Sequence, residues 1–360
     1  MFNSSLPLIL TTDTAGILSC WSRLDCDSDL FVPSAMLRLE GPVRQDGVPV
    51  PWPLLTKCNR ISAAIGPGLV FRGGRTTVEN EVDDKSDVLT LEAMDAVKAL
   101  VDCHPLKRFE QPAGSLATFA QELCAPFGVA VKVDATATIP QTEAARVSPT
   151  ETIWAILEKI AKQTGSGCWI WCDALGVLHI ESLKPYYATP PVAALICLPP
   201  GPQAAKNNLQ KYRLRDDAGE RYSHIVVLGN QARRARDGNA ADGLTTQPAV
   251  EGLAVDPEMI GMGIYRPLVI EDNRAKSIQQ AQNEAMRELA IRRVQGTKIE
   301  CDVGGHFDDS GRPFATCTNV TVTIPDKGIT GSWFVAGRRF FRDIERGDYT
   351  SLTLIMPGVL

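Results

Sequence analysis

A chain of 360 residues, 44% hydrophobic and 22% charged, with a mean hydropathy of −0.06, has the composition of a folded globular protein of two or three domains, which excludes a disordered or fibrous one. Its longest uninterrupted apolar run, residues 192–198, is far shorter than the ~20 residues a membrane-spanning helix needs. The net charge of −5 argues against general nucleic-acid binding and leaves room for a local basic surface. MFNSSLPLILTTD has no Lys or Arg before its apolar stretch, so it lacks the basic region of a secretory signal, and the expected compartment is the cytoplasm. Ten cysteines are too few for a disulfide scaffold and read as buried thiols. Cys168 and Cys172 fall on a predicted strand, which sets them about 13 Å apart at ~3.3 Å per residue, beyond bridging range.

From Gly16 to about Cys103 short β-type segments alternate with Pro- and Gly-rich turns such as GPVRQDGVPVPWP, a β region over 1–103. Around 87–100 the spacing of Leu91, Met94, Val97 and Val101 predicts a short closing helix. Two helix-then-strand units follow in an α/β insertion over 104–190. Ser115 caps the first helix, whose Leu116, Phe119, Ala120 and Leu123 share a face. The second has Ser148 as cap, Pro149 at its first position and Glu151 completing a capping box, with Ile153, Ile156, Leu157 and Ile160 as its stripe. In CWIWCDALGVLHIESL two strands flank a turn, with Trp169 and Trp171 on one face and Cys168, Ile170 and Cys172 on the other. Residues 185–220 are polar and Pro-rich, and 222–229 reads as a strand. A mobile loop is expected over 230–257. A long helix over 277–293 should turn Ile278, Ala281, Ala285, Met286 and Leu289 inward. Four strands then end the chain, making 231–360 a second small barrel or sandwich. The fold class is β-rich α+β, two small β-barrel domains with an α/β insertion between them.

No catalytic constellation stands out. His104, His179, His224 and His306 show no two-His metal spacing, and there is no phosphate loop or nucleophile elbow. No cofactor or metal is expected. His179 and His224 lie on predicted strands and read as hydrogen-bonded sheet residues. His306, with Asp308 and Asp309 beside it, is the one histidine near paired carboxylates, in a stretch that a turn explains more simply. Two basic clusters are candidates for a partner interface or a channel lining: Arg233, Arg234 and Arg236 in the loop, and Arg338 and Arg339, with Arg342, near the end.

The order of pieces resembles the baseplate hub protein of Mu-like contractile-tailed phages, which is related to the hub part of late-control and VgrG-type proteins. WSRL, DVLTLEAMDAVKALVDC, SPTETIWAILEKIAKQTG with the hairpin LGVLHIESL, RYSHIVVLGNQ, AQNEAMRELAIRR and NVTVTIPDKGITGSWFVAGRRFF with GDYTSLTLIMP carry the resemblance over nearly the whole chain. It implies a ring-shaped homotrimer whose six barrels, the first of each chain completed by residues 222–229 returning over about 210–230, face a hexameric tail tube protein, while a three-fold socket receives a trimeric central spike protein. Such a symmetry adaptor is not an enzyme. DNA would pass through its lumen without specific binding, and the protein would fold in the host cytoplasm before joining the virion tail. Related proteins continue into a needle, so a chain stopping at Leu360 implies a spike made as a separate polypeptide. The other readings are a tail-associated cell-wall hydrolase using His306, Asp308 and Asp309, and a VgrG-like carrier lacking its needle.

Overall fold

The computed structural model describes residues 8–14, 16–18, 21–41, 44–45, 48–49, 52–84, 87–106, 109–111, 115–134, 145–147, 149–163, 168–229, 250–272, 275–343 and 347–360. Alternation of buried and exposed residues along Arg23–Asp29, Met36–Gly41 and Asp87–Met94 marks strands with one face on a core and one toward water. These strands belong to a thirteen-stranded sheet that gathers both terminal β regions. Its main path runs Leu209–Asp216, Thr297–Gly304, Gly347–Ile355, Ile329–Asp343, Arg23–Asp29, Met36–Gly41, Asp87–Met94, Gly68–Val82, Ile61–Ile65, Leu8–Thr12 and Gly16–Leu18. Asn319–Ile324 branches from Ile329–Asp343 and takes Ala193–Ile196 as a parallel neighbour.

One ladder joins the two β regions. Arg23–Asp29 pairs antiparallel with residues 337–343, so the two β regions share one sheet and one core, in which Leu24, Leu37, Leu39 and Phe71 are packed with Val320, Phe340 and Leu354. Among the described residues the strand path is open and closes no barrel.

Residues 97–182 have a core of their own, built from Leu116, Phe119, Ile156, Leu157, Ile170 and Ile180. Ser115 caps helix Leu116–Cys124 as expected, its Oγ accepting from the Thr118 amide. The next helix starts later than the sequence signal suggests, at Ile153. Thr152 Oγ1 accepts from the Ala155 amide at 3.3 Å, the cap's usual bond, while Ser148 lies outside the described residues. The hairpin is as read, Trp169–Cys172 paired with Leu178–Glu181. Its cysteine face joins the insertion core, and Trp171 on the other face packs with Leu30, Phe334 and Ile355 of the large sheet.

Three further expectations change. Residues 87–94 form a strand, and the helix after it is only Lys98–Asp102. The polar stretch 185–220 contains the strands Ala193–Ile196 and Leu209–Asp216. Strand His224–Gly229 does not rejoin the first β region; it is the centre of a separate sheet between Glu251–Val255 and Pro267–Asp272, so the latter part of the expected loop is ordered strand. Helix Ile278–Gly296, capped by Ser277, packs on this sheet through Ala281 and Ala285. Ile278 and Met286 are both exposed, contrary to the predicted stripe.

Candidate assembly surface

Period-two alternation gives the large sheet a polar outer face. On Arg23–Asp29, Leu24, Cys26 and Ser28 are buried while Asp25, Asp27 and Asp29 point outward. Arg339 stands across from Asp27, Ser351 lies across from Arg339, and Asp302 across from Ser351. Lys211 then faces Asp302 from the outermost strand. A groove of about 400 Å³ crosses these strands. Gly337 lines it, and a Cβ there would lie 2.4 Å from Asp29 Oδ2, so that carboxylate would have to move aside. Burial raises the carboxyl pKa of Asp27 and Asp29 above the usual range, whereas the hydrogen bond from Lys298 lowers that of Glu300.

The two adjacent arginines singled out in the sequence take opposite sides of their strand. Arg338 is buried, its Nη2 donating to the Val70 carbonyl at 2.7 Å and its guanidinium 4.2 Å from the Phe340 ring centre. Arg339 keeps 47% of its side chain exposed and pairs with Asp25, Nε to Oδ1 at 2.6 Å. Arg342 pairs with Asp348 at 2.8 Å. Arg233, Arg234 and Arg236 lie outside the described residues.

Two of the four histidines, His179 and His306, are held by neighbouring side chains. His179 stacks on Trp171 at 3.9 Å between ring centres, with Nδ1 2.7 Å from Glu181 and Nε2 3.3 Å from Asp173. Burial works against the charge of Glu181, yet bonds from Tyr186, His179 and Lys132 hold its carboxyl below the usual range, and the same contact with burial pushes Tyr186 up to about 12. His306 is buried, its Nδ1 3.2 Å from Thr350 Oγ1. That hydroxyl donates to the Gly305 carbonyl, so it accepts from an Nδ1–H. Burial drives His306 down to about 4, which keeps the ring neutral near pH 7. Asp308 accepts from the Ser310 and Arg312 amides, and Asp309 from the Ala194 amide, each at 2.9 Å. These carboxylates organise a turn and a strand end, and they form no acid–base set with His306.

The buried thiols Cys172 and Cys124 are equally quiescent. Cys172 donates to Asp95 at 2.6 Å, and burial raises the Cys172 thiol well above its usual range and Cys124 to about 12, which suppresses the reactive thiolate. Every cysteine among the described residues is free of disulfide bonds. No group of three or more His, Cys, Asp or Glu side chains among them is placed to hold a metal ion, and none of their helices is long and apolar enough to cross a membrane.

What remains is surface built for contact. The outer side of the three-stranded sheet carries Val226, Leu253 and Val269 in one cross-strand row, with Leu253 46% and Val269 58% exposed and Tyr265 78% exposed beside them. Its position is fixed by Arg221, which is buried, bonds Asp256 Oδ2 at 2.8 Å and reaches Thr297 Oγ1 of the large sheet at 3.1 Å. Sequence reasoning passed over both this face and the charged rows. The available signal was period two, in DCDSD, KYRLR and EGLAV, which is legible only once a strand has been assumed.

Residues 97–182 match the family model described as "Baseplate hub protein gp44-like, second domain". This is the stretch with its own core. No curated protein matches the sequence. Among solved structures, a tail protein from Neisseria meningitidis MC58 superposes with a TM-score of 0.77 at 22% identity, covering 99% of this chain and 98% of that one. The 43 kDa tail protein of prophage MuSo2 from Shewanella oneidensis gives 0.74 at 21% identity, covering 99% of each. The E. coli c3393 protein, a type VI secretion component described as similar to T4 tail proteins gp27 and gp5, gives 0.52 at 6% identity over 96% of this chain and 76% of that one. The chain therefore has the fold of these tail proteins from end to end, which bears out the resemblance read from its sequence.

Proposed function

We propose that this chain is a structural baseplate hub of a contractile phage tail. In this reading it acts as a trimeric symmetry adaptor between a hexameric tail tube and a trimeric central spike, with a central channel for DNA. Each chain would present its N-terminal and C-terminal β regions as two tube-facing units, and 97–182 would lie outside them. The protein would fold in the host cytoplasm and end in the virion tail.

The observation that carries the reading is the agreement between two independent likenesses, a hub-type second domain at 97–182 and whole-chain superposition on prophage tail proteins. The chemistry supports it. Buried neutral His306, partnered His179 and protonated thiols are groups spent on structure, whereas large apolar and charged surfaces stay open. Arg339 is retained as an interface candidate because half of it is exposed.

Light scattering on a sizing column tests the proposal. The expected species has three times the 39.1 kDa of one chain and appears as a ring with a central hole in negative-stain images. A monomer at every concentration tried, or peptidoglycan hydrolysis by the wild type that is lost on His306→Ala, overturns it.

A further inference from the structure

Among the described residues, two of the large sheet's open edges carry opposite charge. Eight of its strands follow one another in unbroken antiparallel alternation, from Leu209–Asp216 at one side to Gly68–Val82 at the other. Among the described residues Leu209–Asp216 is paired on one side only, by Thr297–Gly304. Gly68–Val82 changes partner along its length: its ladder with Ile61–Ile65 runs from Gly68 to Gly73 and ends there, and its ladder with Asp87–Met94 begins at Gly74. Beyond that, residues 76–82 have a strand partner only in Asp87–Met94.

Charge and face agree across the two edges. Lys211, Arg213 and Arg215 stand opposite Asp302, Glu300 and Lys298, alternating with positions opposite Cys301 and Ile299, which lie in the core. They are therefore on the polar outer face. Glu79 and Glu81 stand opposite Thr90 and Val88 and alternate with positions opposite Leu89 and Leu91, again in the core; they share that outer face. On the inner side one edge offers Tyr212 and Leu214, the other Val78, Asn80 and Val82, with Leu214 38% and Val82 66% exposed. Among the described residues Glu79, Glu81, Lys211 and Arg213 make no ion pair.

We infer that the acidic edge, residues 76–82, of one chain pairs antiparallel with the basic edge, Leu209–Asp216, of a second copy. This assigns the subunit contact of the hub reading above, on which it rests. An open strand edge is a template for pairing, and like charges placed on it block pairing with its own kind. Acidic with acidic and basic with basic are both repelled, and only the head-to-tail combination is attractive. Head-to-tail contacts generate rings when the rotation closes. Strand parity fits as well. Because the run from edge to edge holds eight strands, its first and last run in opposite directions, so the next copy continues the alternation with polar and apolar faces unchanged. An odd number would have forced a parallel pair or an inverted sheet.

Charge reversal at each edge tests this with the full chain. Glu79→Lys with Glu81→Lys, and separately Lys211→Glu with Arg213→Glu, should each raise the subunit concentration at which the assembly dissociates by at least about tenfold at low salt. The chain carrying all four changes should recover assembly, since complementarity is restored with the signs exchanged. Circular dichroism establishes that each variant is folded, as expected for exposed substitutions. If the reversed variants assemble like the wild type, or the four-fold variant stays dissociated, edge pairing is overturned while the hub reading survives. A wild type that never assembles overturns both.

Discussion

Arg338 and Arg339 are neighbours with the same charge and opposite roles, because a strand sends successive side chains to opposite faces. Arg338 supplies the buried donor for the Val70 carbonyl and covers Phe340 with its guanidinium. Truncating it removes that carbonyl's strong donor, leaving only the weak Cys26 Sγ contact at 3.9 Å, and opens a void, so Arg338→Ala should cost about 2 to 3 kcal/mol. Arg339 pairs with Asp25 in partial contact with solvent, where ion pairs contribute little, so Arg339→Ala should cost less than about 1 kcal/mol. Urea denaturation of the two variants checks the contrast, and equal losses would contradict the assigned faces. The sequence made GRRFF visible as a basic–aromatic alternation but could not say which arginine was inside. That depends on a bulge between Val335 and Gly337, which resets the alternation and has no signal of its own.

At the level of elements, the signals that held were local. The Ser115 cap and the two-faced hairpin each rest on residues within a few positions of one another. The stripe assigned to Ile278–Gly296 failed for a physical reason. The helix approaches its sheet through small residues, with Ala281 and Ala285 buried while the larger Ile278 and Met286 face outward, so weighting by side-chain size points to the wrong side. Gly252 explains the closeness, because a Cβ there would lie 2.1 Å from the Ala281 carbonyl carbon. Gly252→Val should therefore push the helix off the sheet and cost about 3 kcal/mol or more, beyond ordinary overpacking because backbone has to move. Thermal denaturation measures the loss, and a variant as stable as the wild type would mean the packing is looser than described. Residues 87–94 misled in a complementary way. Leu91 and Met94 happen to fit a helical spacing with Val97, yet the strand's own buried residues are Leu89, Leu91 and Ala93, flanked by partners on both sides.

For the whole molecule, the succession of β region, α/β insertion and β region was legible from the order of patterns. The merger of the two β regions was not. It rests on strands such as those of Cys26 and Phe340, paired across the length of the chain, and no local pattern encodes a contact between distant segments. That merger has an energetic consequence. Leu24, Leu37 and Leu39 share a core with Leu352 and Leu354, so neither terminal region can open without exposing the other. Residues 97–182 bury their own residues and meet the sheet through the Trp171 cluster and the Asp95–Cys172 hydrogen bond. Cooperative opening follows shared burial. Native-state hydrogen exchange should therefore place the amides of Arg23–Asp29 and 337–343 in one class with a common opening free energy, and those of helix Ile153–Gln163 in a second, less protected class. Exchange of Arg23–Asp29 independently of 337–343 would contradict the shared core. A single class for sheet and helix alike would mean that the Trp171 contact couples the insertion to the sheet as tightly as the strands are coupled to one another.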